Sequence, residues 1–207
     1  MQDYIYSALA TLLVIADPIF LSALFLGLTH DLNKSQRAEV ALRGVTIAFF
    51  VLLGAGLGGA ELLSLVGISL SAFRIAGGLL LLSSAAEMVF DRRNQRQQNL
   101  AAQAISVDHV KNIAAFPLAI PLLAGPGAIT AMILLAGRAE GDVSKLLALY
   151  ALAALVMFAC YLSFLGAERI SGLLGVTGRA VVSRLLSIIL AALAVQFIID
   201  GVKPLFT

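Results

Sequence analysis

Ala124-Gly125-Pro126-Gly127-Ala128 stands in the middle of a long apolar run that would otherwise form a continuous helix. Proline removes a backbone donor and clashes with the preceding turn, and neighbouring glycines add conformational freedom, so this stretch favours a complete break. Ala16-Asp17-Pro18 lies at the corresponding place in the first apolar run. The sequence therefore predicts that the helices formed by these two runs are broken at Pro18 and Pro126.

The composition is that of a membrane protein. Of the 207 residues, 60% are hydrophobic and 13% are charged, and the mean hydropathy is +0.99. Soluble domains are typically about 45–50% apolar and about 25% charged, so a water-soluble fold could not bury this much apolar surface. The basic residues are dispersed along the chain, which argues against a nucleic-acid partner. The single cysteine, Cys160, excludes an intramolecular disulfide.

Six apolar runs reach the length of about 20 residues that a membrane helix needs. Their faces are apolar all round, whereas the strands of a membrane barrel would alternate. We therefore predict an all-α fold in a single transmembrane domain over residues 1–207, with a polar cytoplasmic loop at about 91–111. The six runs are Tyr4–Leu28, Leu42–Ala60, Ile68–Phe90, Ile113–Gly137, Leu146–Ala167 and Leu185–Phe206.

The lysines and arginines predict the orientation, because cytoplasmic loops carry an excess of them. One side of the predicted bundle holds ten of these residues and the other side holds three, with Arg74 near a helix end. Both termini are then expected to face the periplasm. The ten are Lys34, Arg37, Arg43, Arg92, Arg93, Arg96, Lys111, Arg169, Arg179 and Arg184, and the three are Arg138, Lys145 and Lys203.

The two halves of the chain, about 1–91 and about 112–207, resemble each other at an offset of about 108 residues. Each half holds three helices, an odd number, so the halves must insert upside down relative to each other, as in many secondary transporters. This architecture of two inverted three-helix repeats predicts Glu61 at the outer surface and Glu168 at the inner one. Beyond the two proline breaks, the matches are Gly59-Ala60-Glu61 with Gly166-Ala167-Glu168, Gly67-Ile68-Ser69 with Gly175-Val176-Thr177, and Arg74 with Arg184.

Two broken helices in inverted halves predict a shared substrate site near the membrane midplane. Unwound backbone survives at that depth only when it is buried in protein or lines a wet cavity, and a helix N-terminus favours a carboxylate or another anion. Asp17 is a costly carboxylate at this depth, suited to a proton, a sodium ion or a substrate amine. The candidate substrate-binding residues are Asp17, Pro18, Ser22, Gly125, Pro126, Gly127 and Thr130.

Each candidate also has a purely structural interpretation. A proline kink can serve packing alone, Asp17 can cap a broken helix, and the hydroxyls of Ser22 and Thr130 can bond back to their own helices. Arg74, Glu87 and Gln196 are candidate coupling or gating residues beside Asp17, but the first two can snorkel to the interface. Gln196 can instead bond between helices.

No cofactor is expected beyond coupling to H⁺ or Na⁺, and no metal site is predicted. His30 and His109 fall in separate loops, and the sequence holds neither a His-Glu-x-x-His nor a Cys-x-x-Cys motif.

Several motifs resemble those of the MarC family, also called UPF0056, of integral inner-membrane proteins. The most specific is PLAIPLLAGPGAI at 117–129, joined by RIAGG at 74–78, the Asp17-Pro18 pair and VQFIIDG at 195–201. The resemblance implies the same six-helix plan, a relation to LysE-type exporters, and, as in some members, transport of small neutral amino acids such as glycine and alanine. The sequence departs from the family pattern at Phe20-Leu21 and Ala23, where many members have Gly-Asn and then a second proline, and this leaves the substrate open.

The leading functional hypothesis is a secondary transporter that moves a small neutral amino acid by alternating access in the bacterial inner membrane. Its partners would be the lipid bilayer and the small-molecule substrate, and a homo-oligomer is left open. One alternative is efflux of drugs or other small solutes, and another is a membrane protein that transports nothing. An enzyme is not expected, because the membrane segments hold no histidine, no pair of cysteines and no pair of central aspartates.

Overall fold

The computed structural model describes residues 1–90, 92 and 113–206, and within these ranges the chain is helical apart from short turns and holds no strand. The predicted cytoplasmic loop at about 91–111 lies outside the described residues except for Arg92. The same holds for Arg93, Arg96 and Lys111, which contributed to the predicted orientation.

The described chain forms seven α-helices, one irregular helical segment and a final 3-10 turn. We call the irregular segment, Ala114–Leu123, the double-proline segment, because it contains Pro117 and Pro121. The helices are α1 (Gln2–Ala16), α2 (Pro18–Leu28), α3 (Lys34–Leu65), α4 (Leu70–Val89), α5 (Pro126–Arg138), α6 (Val143–Leu165) and α7 (Ala167–Val202), and the 3-10 turn is Lys203–Leu205.

Among the described residues, five stretches are long and apolar enough to cross a membrane, and a sixth is obtained when the double-proline segment and α5 are taken as one bent span. All six coincide with predicted apolar runs. The five are Gln2–Leu28, Lys34–Leu65, Leu70–Val89, Val143–Leu165 and Thr177–Val202.

One boundary was predicted wrongly. The stretch with Arg169, Arg179 and Arg184 was expected to be a loop, but α7 begins at Ala167 and continues through all three. Its helical dihedral angles are interrupted only at Gly175, which adopts φ 57° and ψ −172°. Glycine tolerates this positive φ because it has no Cβ. The polar residues lie outside the candidate span Thr177–Val202 or near its start, but α7 begins ten residues before that span.

Local side-chain chemistry starts three of the helices. Asn33 begins α3 with a reciprocal capping box, in which its Oδ1 accepts from the Gln36 N–H at 2.9 Å and Gln36 Oε1 accepts from the Asn33 N–H at 3.0 Å. Ser69 caps α4 by accepting from the Ala72 N–H at 3.1 Å. Asp142 caps α6 by accepting from the N–H groups of the next turn. These caps satisfy donors that the first helical turn leaves unpaired.

The helices of the two halves interleave. The first span, α1 and α2, packs against α6 and α7, while the double-proline segment and α5 pack against α3 and α4. The long contact between α4 and α7 is made close by glycine: a Cβ on Gly78 would lie 2.6 Å from Ile198 Cγ1. Small residues at such crossings let helix backbones approach closely, which strengthens packing where lipid supplies no hydrophobic drive. Each of the two broken spans is therefore packed against helices of the other half.

Candidate functional site

The first break is a single residue in the left-handed conformation. Asp17 has φ 41° and ψ 67°, and its N–H still donates to the Leu13 carbonyl at 3.0 Å. Its Oδ1 accepts from the Phe20 N–H at 3.2 Å, which caps α2. Asp17 is only 3% exposed, and the buried Cys160 of α6 is among the groups that interact with it electrostatically. The structural interpretation as a cap is therefore realised, and a further role for the carboxylate stays a prediction.

The second break is longer and sharper. Gly125 is extended, with φ −78° and ψ 172°, and α5 starts at Pro126. The helical axes on the two sides of this break differ by 57°. Upstream, Phe116 and Ile120 are also extended, and each precedes a proline of the double-proline segment. Because a residue before proline is pushed out of the helical region, the sequence held this signal, although only Pro126 was predicted to break the span.

A cavity of about 50 Å³ lies at the second break. Gly125 supplies no side-chain cap to α5, so the first N–H groups of that helix have no side-chain partner there. Ser84 of α4 faces the same cavity and was missed by the sequence analysis, because nothing in its neighbourhood distinguishes it from other helix serines. Among the lining residues are Ile15, Ser84, Pro121, Gly125, Pro126 and Gly127.

The last residues of α1, just before the first break, lie next to the second break. Ile15, two residues before Asp17, lines the 50 Å³ cavity. A smaller apolar cavity of about 10 Å³ is lined by Ile15 and Ala16 from α1 and by Leu123 and Ala128 from either side of the second break. The two breaks are thus neighbours in the bundle.

The predicted substrate-binding residues divide into two groups. Gly125, Pro126 and Gly127 line the cavity, whereas Asp17, Pro18, Ser22 and Thr130 are buried nearby without lining it. Their assignment to substrate binding stays a prediction.

Ser22 and Thr130 have different surroundings, and so do Pro18 and Pro126. Ser22 Oγ donates to the Ile19 carbonyl at 2.7 Å, which is the structural alternative foreseen for it. Thr130 packs its methyl group against Gly77 of α4. Pro18 is buried but Pro126 is exposed, so the second break reaches the surface of the bundle.

A network of charged and polar side chains lies at one end of the bundle, which we call the Arg138 end. Arg138 of α5 pairs with Asp200 Oδ2 of α7 and donates to Ser7 Oγ of α1 at 3.3 Å. Its guanidinium also lies 5.0 Å from the centre of the Phe197 ring. Gln196 Nε2 donates to Asp200 Oδ1 at 2.8 Å. These contacts tie α1, α5 and α7 together.

Of the predicted gating residues, Arg74 and Glu87 lie far apart on α4, and Gln196 lies on α7. Arg74 and Gln196 both line a cavity of about 660 Å³ at the Arg138 end, and Arg74 Nε is buried with no hydrogen-bond partner in the described part of the chain. Glu87 lies roughly 20 Å farther along α4, at 1.5 Å per residue, and so cannot pair with Arg74. The sequence analysis used Arg138 only for the orientation and gave Asp200 no role of its own, although the structure makes both the centre of this network.

The opposite end, which we call the Arg37 end, is closed by an ion pair between α3 and α7. Arg37 Nη1 lies 2.8 Å from Glu168 Oε1, and Arg37 also donates to the carbonyls of Thr29 and His30 at 2.9 and 3.2 Å. Glu61 lies near the far end of α3. Glu61 and Glu168 therefore sit at opposite ends of the bundle, and their placement at the outer and inner surfaces as repeat partners stays a prediction. Within the described ranges, no cluster of His, Cys, Asp or Glu could hold a metal ion.

The comparisons with known proteins agree with these features. Residues 2–206 match the model of the MarC family of integral membrane proteins. A UPF0056 membrane protein of Archaeoglobus fulgidus is 38% identical over 200 residues, covering 96% of this chain and 92% of that protein. The UPF0056 inner membrane protein MarC of Citrobacter koseri is 33% identical over 203 residues, covering 94% and 91%.

The same relationship holds for the UPF0056 membrane protein YhcE of Escherichia coli, which is 30% identical over 196 residues, covering 94% of this chain and 90% of that protein. No solved structure matches the chain. The match over nearly the whole length, together with the helical bundle and its apolar spans, leads to one conclusion: the chain belongs to the MarC family (UPF0056) of integral membrane proteins.

Proposed function

We propose that this protein is a secondary transporter of small neutral amino acids, of the size of glycine or alanine, that works by alternating access. The observation that carries the proposal is that the two helix breaks are neighbours in the bundle, with Ile15 and Ala128 lining both of the small cavities between them. Interrupted helices that meet inside a bundle are a recurrent way for transporters to present backbone groups to a substrate.

The second break suits the carboxylate of an amino acid. The first turn of α5 begins without a side-chain cap, so its N–H groups and the positive end of the helix dipole can receive an anion. Ser84 offers a hydroxyl to the same cavity. Asp17, buried beside the first break, would supply the contact for the substrate amine or for a coupling H⁺ or Na⁺.

The inverted repeat is part of the proposal, and local geometry supports it. Gly67 and Gly175, which align between the halves, both have positive φ, at 74° and 57°. Each precedes the third span of its half, Leu70–Val89 or Thr177–Val202. The second span of each half is likewise introduced by a side-chain cap, from Asn33 or from Asp142.

The helix contacts support the same symmetry. In an inverted repeat, α1 and α2 correspond to the double-proline segment and α5, α3 corresponds to α6, and α4 corresponds to α7. The packing of α1 and α2 on α6 and α7 then corresponds to the packing of the double-proline segment and α5 on α3 and α4, and both sets of contacts are present. The contact between α4 and α7 exchanges with itself. The halves would lie in a bacterial inner membrane with both termini in the periplasm, in keeping with the positive-inside rule.

The size of the central cavity favours a small substrate and a closed conformation. A volume of about 50 Å³ holds one or two water molecules at about 30 Å³ each. Pockets for drug-sized ligands typically run from about 300 Å³ upward, so efflux of drugs fits this site less well. The Arg138 and Arg37 networks would be the two closures, opened in alternation to let the cavity widen.

Proteoliposome transport tests the proposal. Labelled glycine, alanine and serine should exchange across the membrane in counterflow, and a proton or sodium gradient should drive their accumulation. Absence of transport for all three amino acids, under every gradient, would reject the amino-acid proposal.

Two variants probe the site in the same assay. Gly127→Ala should slow transport, because its methyl group would occupy the cavity 3.7 Å from Ser84 Oγ without a clash. Gly27→Ala, where a Cβ meets nothing within 4 Å, is the matched control. Asp17→Asn should abolish coupling or substrate binding, and full activity of this variant would favour a role in which Asp17 is only a cap.

A further inference from the structure

The Arg37 end carries a cavity of about 300 Å³ that is separate from the helix breaks. It lies where α2, α3, α6 and α7 come together. Its lining combines the basic residues Lys34, Arg37 and Arg169, which outnumber the single acidic residue Glu168, with the apolar residues Leu26, Phe164 and Leu165. A ligand that fills it must therefore combine negative charge with apolar surface.

The three cations of this cavity are not equivalent. Arg37 is fully used by Glu168 and by the carbonyls of Thr29 and His30. Lys34 and Arg169 are exposed and have no ion-pair partner among the residues that the structure describes. The structure thus leaves two cationic side chains available beside the cavity.

The position of the cavity matches the headgroup layer of a bilayer. Apolar helix α2 ends at Leu28, α3 begins at Lys34 and α6 ends at Leu165, so Lys34 lies at the end of a span and Arg169 just beyond one. Leu162 and Leu165, one turn apart on α6, are 51% and 50% exposed. They form an apolar surface next to the basic groups, along which an acyl chain can lie.

We propose that this cavity binds the phosphate of an anionic phospholipid, with Lys34 and Arg169 as the phosphate-binding residues and Leu162 and Leu165 in contact with an acyl chain. Basic pockets between membrane helices are suited to anionic headgroups, and each lysine or arginine near such a surface adds about 1 kcal/mol, or about fivefold in affinity. Arg37 and Glu168 also line the cavity and keep their mutual contact.

The test is lipid binding by the purified full-length chain in detergent micelles, followed by thermal shift and native mass spectrometry. Phosphatidylglycerol should raise the unfolding temperature and be retained, and phosphatidylcholine should do neither. The variant Lys34→Gln/Arg169→Gln should weaken phosphatidylglycerol binding by roughly 30-fold. Lys34→Arg/Arg169→Lys should retain it, because the charges remain.

A control with the same net charge is Arg43→Gln/Lys145→Gln, which removes two cations from elsewhere and should bind like the wild type. Arg43 pairs with Glu39, and Lys145 belongs to the Arg138 end. If the double variant at the cavity does not fold, Lys34→Gln and Arg169→Gln are measured singly, each with about a fivefold loss expected.

Two results would overturn the proposal. One is unchanged phosphatidylglycerol binding when Lys34 and Arg169 are neutralised. The other is an equal thermal shift from inorganic phosphate or glycerol phosphate at matched ionic strength with no added effect of the lipid, which would make the cavity a site for soluble anions.

Discussion

The carbonyl oxygen of Pro121 lies 2.5 Å from the point where a Cβ on Gly125 would be placed. The obstacle is backbone, which cannot rotate away as a side chain can. Gly125 is therefore required by the path of the chain between the double-proline segment and α5. The neighbouring Gly127 has no such restriction, since its nearest neighbour would be Ser84 Oγ at 3.7 Å.

Gly125→Ala should destabilise the protein by about 1–3 kcal/mol, the usual range for overpacking a closely packed site. Gly127→Ala should keep the stability of the wild type. The measurement is the thermal unfolding temperature in detergent, with size-exclusion chromatography to detect aggregation. Equal unfolding temperatures for the two variants would show that the close approach of Pro121 to Gly125 does not constrain the fold.

Substitutions of Asp17 should separate its role as a cap from the role of its charge. Asn tolerates the left-handed conformation and can accept from the Phe20 N–H, so Asp17→Asn should be as stable as the wild type. Asp17→Gly keeps the left-handed conformation and loses only the cap, so it should lower the free energy of unfolding by a few tenths of a kcal/mol. Asp17→Ala disfavours the left-handed conformation and also loses the cap, so it should lower the free energy of unfolding by about 2 kcal/mol.

This order of stabilities, with Asn highest and Ala lowest, is measured by thermal unfolding of the three purified variants. If Ala proved as stable as Asn, the cap and the left-handed backbone at Asp17 would be unimportant for the fold. A variant that is stable but inactive in transport, which we expect of Asp17→Asn, then assigns the loss to charge.

Much of the fold could be predicted because it depends on local chemistry. Each apolar run was visible by its length, and the proline breaks followed from the missing N–H and from the residues beside it. The extended conformations of Phe116 and Ile120 obey the same rule, and they were missed only because Pro117 and Pro121 had been given no structural role. The start of α7 was missed because hydropathy marks membrane spans, and polar helix outside them leaves no such signal.

The site was less accessible from the sequence. Arg138 meets Asp200, and Arg37 meets Glu168, only because helices distant in the chain pack side by side, and nothing in either local sequence specifies the partner. Ser84 lines the cavity for the same reason. Asp17 could be singled out by the cost of a buried carboxylate. The sequence could not show, however, that Asp17 lies near the cavity without lining it.

The pair between Arg138 and Asp200 should be energetically coupled. The two side chains are 24% and 23% exposed, so solvent screens the pair incompletely, and a double-mutant cycle with Arg138→Ala and Asp200→Ala should give about 1 kcal/mol of coupling. The weaker contact of Lys145 with Asp142, at 3.9 Å and more exposed, should give close to zero. Unfolding temperatures of the single and double variants provide the measurement, and similar coupling for both pairs would contradict the special position of Arg138 in its network.

The orientation can be tested on α3 alone, because Ser35 and Ser64 are both exposed and lie near its opposite ends. At 1.5 Å per residue they are roughly 43 Å apart, more than the thickness of about 30 Å of the hydrocarbon core. The native Cys160 is fully buried, so the wild type should react little with a membrane-impermeant maleimide. In intact cells, Ser64→Cys should be labelled and Ser35→Cys should be protected until the membrane is permeabilised, because the positive-inside rule predicts that the basic Arg37 end faces the cytoplasm. The reverse pattern would invert the topology, and labelling of both from outside would mean that α3 does not cross the membrane.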